Sequence, residues 1–181
     1  MIIFDTETTG LVKAIASDIK HQPRVIEFAA IKLCDETLAE LDRLHFLVNP
    51  KRPVPPEIVK ITKITDKMVE GEKTFIERIE ELKNFFDGEN NLIAHNLSFD
   101  KSILDIELKR NQVDDFPIPK NLICTIEQSY HIKGIRLNQG RLYEIATDGM
   151  KFQGAHRAIN DVEALAKCVV YMIENNYIEL K

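Results

Sequence analysis

The chain has 181 residues, of which 44% are hydrophobic and 29% are charged, and its formal net charge is −5. These values are ordinary for a globular protein and predict a single domain over residues 1–181 with a sizeable core. They exclude a membrane-spanning class, because no apolar run is long enough, and they argue against binding through a broad positive surface.

The amino terminus and the cysteines bear on the compartment. The start, MIIFDTETTG, has no basic segment followed by an apolar stretch, so it does not resemble a signal peptide. Cys34, Cys124 and Cys168 are odd in number and widely spaced, which fits neither a disulfide framework nor a zinc site. We therefore expect a cytoplasmic protein.

The first half of the chain is predicted to be rich in strands. Strands are predicted at 2–5, 25–33 and 38–48, the last two joined by a turn at 34–36. Residues 12–24 are predicted to form a surface loop. Four prolines within residues 49–56 predict an extended or turning chain, followed by a short helix at 56–61 and a turn at Thr65-Asp66.

The second half is predicted to be mainly helical. Phe75, Ile79, Leu82 and Phe86 would share one helix face, and Thr74 with Glu77 resembles a capping box. Helices are predicted at 74–86, 97–110, 125–130, 138–146 and 158–174, and short strands at 91–95 and 121–124. Early strands, late helices and a strand-to-helix crossover predict an α/β fold: a mixed sheet with helices on both faces.

Asp5-Thr6-Glu7 is the first candidate site. Alternate side chains of a strand point to one face, so both carboxylates would project together at the end of a buried apolar run. Such charges are costly unless compensated, and a hard divalent cation would compensate them. The alternative is a solvated strand end. Gly10 then permits a tight turn whose amides could hold a sugar or phosphate, or a plain strand-ending turn.

Two further acids are predicted to lie in the first turns of helices. Asp100 follows the strand at 91–95, and Asp161 lies near the start of the last helix. Either acid is explained equally well by the positive end of the helix dipole. His156 precedes Asp161 in a glycine-containing segment, which suits a group that approaches a bound water, although a lone histidine is more often a surface residue.

Taken in order, FDTETTGL, AHNLSFD and HRAIND resemble the three motifs of the DEDDh family of 3′-to-5′ exonucleases. RVIEFAAIKL and FLVNPKRPVPPEIVKITKIT resemble the second strand and the Pro-rich connection of proofreading epsilon subunits of bacterial DNA polymerase III and their relatives. The resemblance covers roughly residues 2–172. It implies a ribonuclease H-like fold and an enzyme that releases nucleoside 5′-monophosphates.

The resemblance also implies roles for the acids and the histidine. Asp5 would lie between two Mg²⁺ or Mn²⁺ ions, Glu7 and Asp161 on the ion that carries the attacking water, and Asp100 near the other. Two such ions stabilise the attacking and leaving oxygens of an in-line displacement at phosphorus. His156 would be the general base.

The implied substrate is a nucleic-acid 3′ end, with DNA favoured over RNA, and a DNA polymerase is an implied partner. Leu11 would act as an apolar wedge against the terminal bases, although Leu11 and Phe99 also suit an ordinary core. The residues implied to contact the terminal nucleotide are Thr8, Gly10, Leu11, Thr65, Asn96 and Phe99.

Three features depart from the family pattern. Lys63 replaces a usual glycine, which puts the local turn in doubt or adds a positive charge near the nucleic acid. The 12–24 loop is long, and Lys13, Lys20, His21 and Arg24 could contact the strand, although a solvated loop is the alternative. The chain ends soon after the last helix, so we expect a free-standing exonuclease or a subunit docked by another surface.

Two alternative functions follow from the same residues. The first is an exoribonuclease of the same family, similar to ribonuclease T or oligoribonuclease. The second is a catalytically silent nucleic-acid-binding subunit, which predicts loss of at least one acid or of the histidine. All five residues are present.

Overall fold

The computed structural model describes residues 1–14 and 18–181. These residues form five strands: β1 (Ile2–Thr8), β2 (Val25–Leu33), β3 (Glu40–Leu47), β4 (Asn91–Ala94) and β5 (Asn121–Cys124). They also form eight α-helices: α1 (Pro56–Thr62), α2 (Asp66–Val69), α3 (Ile79–Phe86), α4 (Leu97–Arg110), α5 (Thr125–Gln128), α6 (Tyr130–Lys133), α7 (Gln139–Ala146) and α8 (Ala158–Glu174). Short 3₁₀ helices lie at Ile19–His21 and Ile76–Arg78.

The strands form one mixed sheet in the order β3-β2-β1-β4-β5. β1 pairs antiparallel with β2, and β2 pairs antiparallel with β3. β4 and β5 continue the sheet parallel to β1, with α4 as the crossover between them. This arrangement confirms the predicted mixed α/β sheet and places β1 at its centre.

The two faces of the sheet have separate hydrophobic cores because successive side chains of a strand point to opposite faces. Ile2 and Phe4 pack into a core with residues of α3 and α4. Met1 and Ile3 pack into a second core with residues of α7 and α8. The predicted helices on both faces are therefore confirmed. Even-numbered side chains of β1 face α3 and α4, and odd-numbered side chains face α7 and α8.

Several element boundaries differ from the sequence predictions. β1 runs on to Thr8, beyond the predicted strand at 2–5, because its later residues pair with β2 as far as Thr8 opposite Val25. The predicted helix at 74–86 begins as the 3₁₀ turn Ile76–Arg78. Of the predicted capping box, one hydrogen bond is present, from the backbone N–H of Thr74 to Glu77 Oε2 at 2.8 Å, while Thr74 Oγ1 donates to the same oxygen at 2.6 Å. The predicted helix at 125–130 is divided between α5 and α6.

The 12–24 loop is tied down at both of its described ends. Gln22 is buried, and its side chain accepts from the backbone N–H of Lys13 and donates to the carbonyl of Lys13. Lys13, Lys20 and His21 are exposed, and their contact with a nucleic-acid strand stays a prediction. Residues 15–17 of the predicted loop lie outside the described residues.

Lys63 ends α1 in a left-handed conformation, with φ 63°. Its backbone N–H donates to Val59 O at 2.9 Å, so the turn forms without the glycine that usually favours it. Its ammonium group donates to Lys60 O at 2.7 Å, at the carboxyl end of the helix. The departure from glycine thus leaves the turn intact.

In the described part of the chain, no helix has both the length and the apolarity needed to cross a membrane.

Candidate active site

β1 presents two carboxylates on the α8 face of the sheet. Asp5 and Glu7 share the parity of Ile3, and both are half-buried. In the antiparallel register, Asp5 lies opposite Ala29 and Glu7 lies opposite Glu27 of β2. The predicted pair therefore projects from within the central strand of the sheet, where pairing on one side holds both backbones in place.

Asp161 joins this pair from the first turn of α8. Carboxylate oxygens of Asp5, Glu7 and Asp161 all lie within 4.8 Å of one another, close enough to share one cation. Asp161 is buried, and its Oδ2 accepts the backbone N–H of Arg157 at 3.0 Å. Residues 5 and 161 are distant in sequence, so this cluster exists only because α8 packs against β1.

Asp100 reaches β1 from the opposite helix layer. It is buried in the first turns of α4, and its Oδ1 accepts from the backbone N–H of Thr6 at 3.1 Å and from Thr6 Oγ1 at 2.8 Å. Thr6 is the residue between Asp5 and Glu7. Asp100 therefore forms hydrogen bonds to the strand that carries Asp5 and Glu7. A favourable position at the start of a helix does not explain these bonds.

Burial raises the pKa values of all four acids, and neighbouring carboxylates raise them further. Burial, followed by the charges of Asp100, Asp161, Glu7 and Glu27, raises the pKa of Asp5 well above its usual value. Burial and neighbouring carboxylates raise the pKa of Glu7 to about 8, and burial raises those of Asp100, to about 7, and of Asp161. Hard divalent cations prefer carboxylate oxygens and would compensate this charge, so the residues fit such ions.

This electrostatic arrangement predicts a pH-dependent stability of the metal-free protein. A raised pKa means that the folded state favours the protonated carboxyl group more than the unfolded state does. The stability that this preference contributes is fully present below the ordinary pKa range of carboxyl groups, and it is lost as the pH rises through the pKa values of the folded state. With a chelator present, the free energy of unfolding should fall by on the order of 2 kcal/mol between about pH 5 and pH 8.

Urea titrations at several pH values would measure this loss, with Glu7→Gln as the matched variant, whose profile should be flatter. Addition of Mg²⁺ should restore most of the stability at the alkaline end, because a bound cation favours the ionised carboxylates. A wild-type free energy that stayed constant or increased over this range would contradict the arrangement.

His156 lies just before α8 and is exposed. Its backbone adopts φ 68°, a left-handed conformation that is uncommon for a residue with a Cβ. On one side, the Asn160 side chain donates to Gly154 O at 2.8 Å, and a Cβ on Gly154 would lie 2.7 Å from Asn160 Nδ2. Gly154 has φ 81°, a conformation that favours glycine. The segment that carries the predicted base therefore has a defined backbone.

Sequence reasoning missed Glu27. This residue of β2 is completely buried and receives hydrogen bonds from Arg157, from His45 and from the backbone N–H of Ala158. Burial alone would raise the pKa of Glu27, but these hydrogen bonds bring it below its usual value. The available signal was a charged residue within the apolar stretch VIEFAA, where an uncompensated charge is costly.

The turn after β1 carries three of the predicted substrate contacts. Thr8 Oγ1 donates to Gly10 O at 2.6 Å and orders the turn, in which Gly10 has φ 151°. Leu11 is 79% exposed. The alternative of an ordinary core position is therefore wrong for Leu11.

The other predicted substrate contacts are divided between two regions. Asn96 is exposed and Phe99 is half-buried, and both lie beside Asp100 at the start of α4. Phe99 also packs against the core on that face. Thr65 precedes α2, next to Ile64 of a small separate cluster, and within the described residues no side-chain hydrogen bond links Thr65 to the acids.

Comparison with known proteins places these features in a family context. A family model described as an exonuclease (RNase_T) matches residues 2–169. DNA polymerase III subunit epsilon of Treponema pallidum is 31% identical over 175 residues, covering 96% of this chain and 76% of that protein. DNA polymerase III PolC-type of Clostridium perfringens is 29% identical over 177 residues, which span 94% of this chain but only 11% of that protein.

Two solved structures share the fold. Exonuclease X in complex with 5′-overhanging duplex DNA has a TM-score of 0.68 and 25% identity, covering 98% of this chain and 93% of that one. The nuclease domain of 3′hExo, a DEDDh family member bound to rAMP, has a TM-score of 0.81 and 18% identity, covering 99% and 94%.

Proposed function

Given that the chain belongs to the exonuclease family and is a 3′-to-5′ exonuclease, we propose that it is of the DEDDh type and shortens DNA from the 3′ end by a two-metal mechanism with His156 as general base. The observation that carries this proposal is the convergence of four acids from three elements. Asp5 and Glu7 come from β1, Asp100 from α4 and Asp161 from α8, and their pKa values are all raised.

These acids are the proposed ligands of two divalent cations, Mg²⁺ or Mn²⁺. Three of them already lie within shared reach of one cation, and Asp100 meets the same strand through Thr6. Bound ions would supply Lewis-acid stabilisation of the charge that develops on the phosphate oxygens. The carboxylates would hold these cations, whose positive charge would in turn attract the negatively charged phosphate.

His156 is proposed to accept the proton of the attacking water. The water oxygen forms a bond to phosphorus while the bond to the 3′ oxygen of the preceding nucleotide breaks, and that oxygen gains a proton. The products are a nucleoside 5′-monophosphate and a strand one nucleotide shorter with a free 3′-hydroxyl. An exposed imidazole at the end of a defined backbone segment can approach a water above the acids without being a ligand itself.

The turn after β1 supports recognition of the terminal nucleotide. The side chain of Leu11 is 79% exposed and is therefore available for contact with a nucleotide, and apolar contact with a base tolerates every sequence. Thr8 ends the strand that carries Asp5 and Glu7, and Leu11 follows three residues later. We propose that Leu11 packs against the terminal base.

DNA is the proposed substrate because the similar epsilon and PolC-type proteins are named as DNA polymerase III components. A DNA polymerase is the protein partner that these relatives suggest. The contacts that distinguish a 2′-hydroxyl are local, so the sugar preference requires a direct comparison.

The test uses two 5′-labelled single strands of equal sequence, one DNA and one RNA, incubated with the protein and Mg²⁺. We expect a ladder that shortens from the 3′ end, faster on DNA, and no shortening in EDTA. Faster trimming of RNA would replace the DNA assignment with the exoribonuclease alternative. Binding of either strand without any shortening would overturn the catalytic proposal and favour a silent nucleic-acid-binding subunit.

A further inference from the structure

Glu27 is a completely buried carboxylate beside the proposed metal ligands. Its backbone lies opposite Glu7 in the pairing of β1 with β2. A buried charge in a low-dielectric setting is costly unless it is paired and hydrogen-bonded. The partners of Glu27 therefore indicate why a charge is kept at this position.

The partners come from two other elements. Arg157 donates from Nε at 3.0 Å to one carboxylate oxygen and from a terminal nitrogen at 2.7 Å to the other, which is the bidentate arrangement. The backbone N–H of Ala158, the first residue of α8, donates at 2.9 Å. His45 Nε2 of β3 lies 2.8 Å away. The carboxylate thus joins the amino end of α8 to the central strands.

The anchored segment carries two residues of the proposed chemistry. His156 immediately precedes Arg157. The backbone N–H of Arg157 donates to Asp161 Oδ2 at 3.0 Å, and Asp161 N donates back to Arg157 O at 2.9 Å. Arg157 therefore connects Glu27, a buried residue of the sheet, to the backbone of His156 on one side and to the first turn of α8 on the other.

We propose that Glu27 is a positioning residue for the proposed reaction: through its bidentate pair with Arg157 it holds the start of α8, and thereby the backbone from which His156 acts. Its oxygens are occupied by Arg157, Ala158 and His45, so it supports the metal-binding acids from outside their cluster. This inference rests on the proposed function only for the role of His156.

The test begins with Glu27→Gln, which keeps the side-chain shape and removes the charge. On the 5′-labelled DNA strand with saturating Mg²⁺, kcat should fall about 10- to 100-fold, the effect typical of groups that orient a catalytic residue. KM should change by less than about threefold, because substrate contacts are not altered. Arg157→Lys, which keeps the charge but can contact only one oxygen, should lose part of kcat and provides the evidence if Glu27→Gln does not fold.

Glu107→Gln is the matched control. Glu107 is also buried, pairs with Arg110 at 2.7 Å and accepts a backbone N–H of β2, that of Val25, at 3.0 Å. It lies seven residues beyond Asp100 on α4, about 10 Å along the helix. Its replacement should lower stability comparably while leaving kcat within about twofold, because it anchors no part of the segment before α8.

Two readouts separate positioning from general loss of structure. In the His156→Ala background, Glu27→Gln should reduce kcat by no more than about threefold, because its effect passes through His156. Hydrogen exchange of the amides at 157–161 should accelerate about tenfold or more in Glu27→Gln and stay unchanged in Glu107→Gln. This second readout does not depend on catalysis.

Unchanged kcat in a folded Glu27→Gln protein, or a full multiplicative loss in the His156→Ala background, would overturn the positioning role. Inactivity of the wild-type protein on every strand would instead refute the proposed function. In that case the exchange measurement still decides whether Glu27 anchors the segment, and unchanged exchange at 157–161 would refute that too.

Discussion

Replacement of Asp5 by Asn is expected to reduce Mg²⁺-dependent shortening of a DNA strand by about 1000-fold or more. Asp5 is the acid most affected by the others, since burial and four neighbouring carboxylates raise its pKa. It is therefore the position at which a lost negative charge should most weaken cation binding. A loss of about 4 kcal/mol in transition-state stabilisation, within the range for a metal-binding group, corresponds to that factor.

The same substitution should stabilise the metal-free protein. The amide of Asn is nearly isosteric with the carboxylate and carries no charge, so the repulsion with Asp100, Asp161 and Glu7 is removed. In EDTA at about pH 8 the melting temperature should rise by about 2 °C or more, and Mg²⁺ should raise it much less than in the wild-type protein.

Activity and stability are measured on the same preparations, with Asp114→Asn as control. Asp114 is exposed, and its replacement should alter neither quantity. Wild-type turnover in Asp5→Asn would exclude the acidic cluster as the catalytic centre. If activity and stability were both lost, the substitution would have damaged the fold, and the loss of activity would not identify Asp5 as a metal ligand.

Replacement of His156 by Ala is expected to lower kcat by about 100- to 10,000-fold, the range for removal of a general base. The imidazole is exposed and lies outside the shared reach of the three clustered acids. Stabilisation by Mg²⁺ should therefore remain close to the wild-type value. The two measurements together distinguish a base from a ligand, because loss of a ligand would lower both.

Two additional observations would support the role of His156. Wild-type turnover at saturating Mg²⁺ should rise with pH, because a general base must be unprotonated to accept a proton, and the rise should be weaker in His156→Ala. Added imidazole should restore part of the lost turnover. His131→Ala, at an exposed position of α6, is the control and should behave as wild type. A large loss of Mg²⁺ stabilisation in His156→Ala would contradict the assignment.

Most strands and helices could be predicted from local patterns. The apolar run at 25–33 and the amphipathic pattern at 158–174 match β2 and α8, since burial on one face leaves a clear periodicity. The extension of β1 to Thr8 could not be predicted, because polar residues continue the strand only where a neighbour supplies hydrogen bonds. The division of the predicted helix at 125–130 into α5 and α6 could not be predicted either, because the bounds of such short helices depend on their tertiary contacts.

The sequence by itself determined the order of the chemical groups: two acids at the first strand, an acid after another strand, a histidine just before the last helix and an acid near the start of that helix. Provided that the strand continues past Asp5, local periodicity also places Asp5 and Glu7 on one face, because the strand repeat is two residues. Spacing of this kind is a property of neighbours along the chain, so it can be seen without a fold.

Only the tertiary structure decided which groups meet. Packing of α8 on one face of β1 brings Asp161 to Asp5 and Glu7, while α4 on the other face brings Asp100 to Thr6. It also shows how the buried charge of Glu27 in β2 is compensated, because its partner, Arg157, lies 130 positions away. A buried charge persists only where the fold supplies its counter-charge, and that supply depends on contacts distant in sequence.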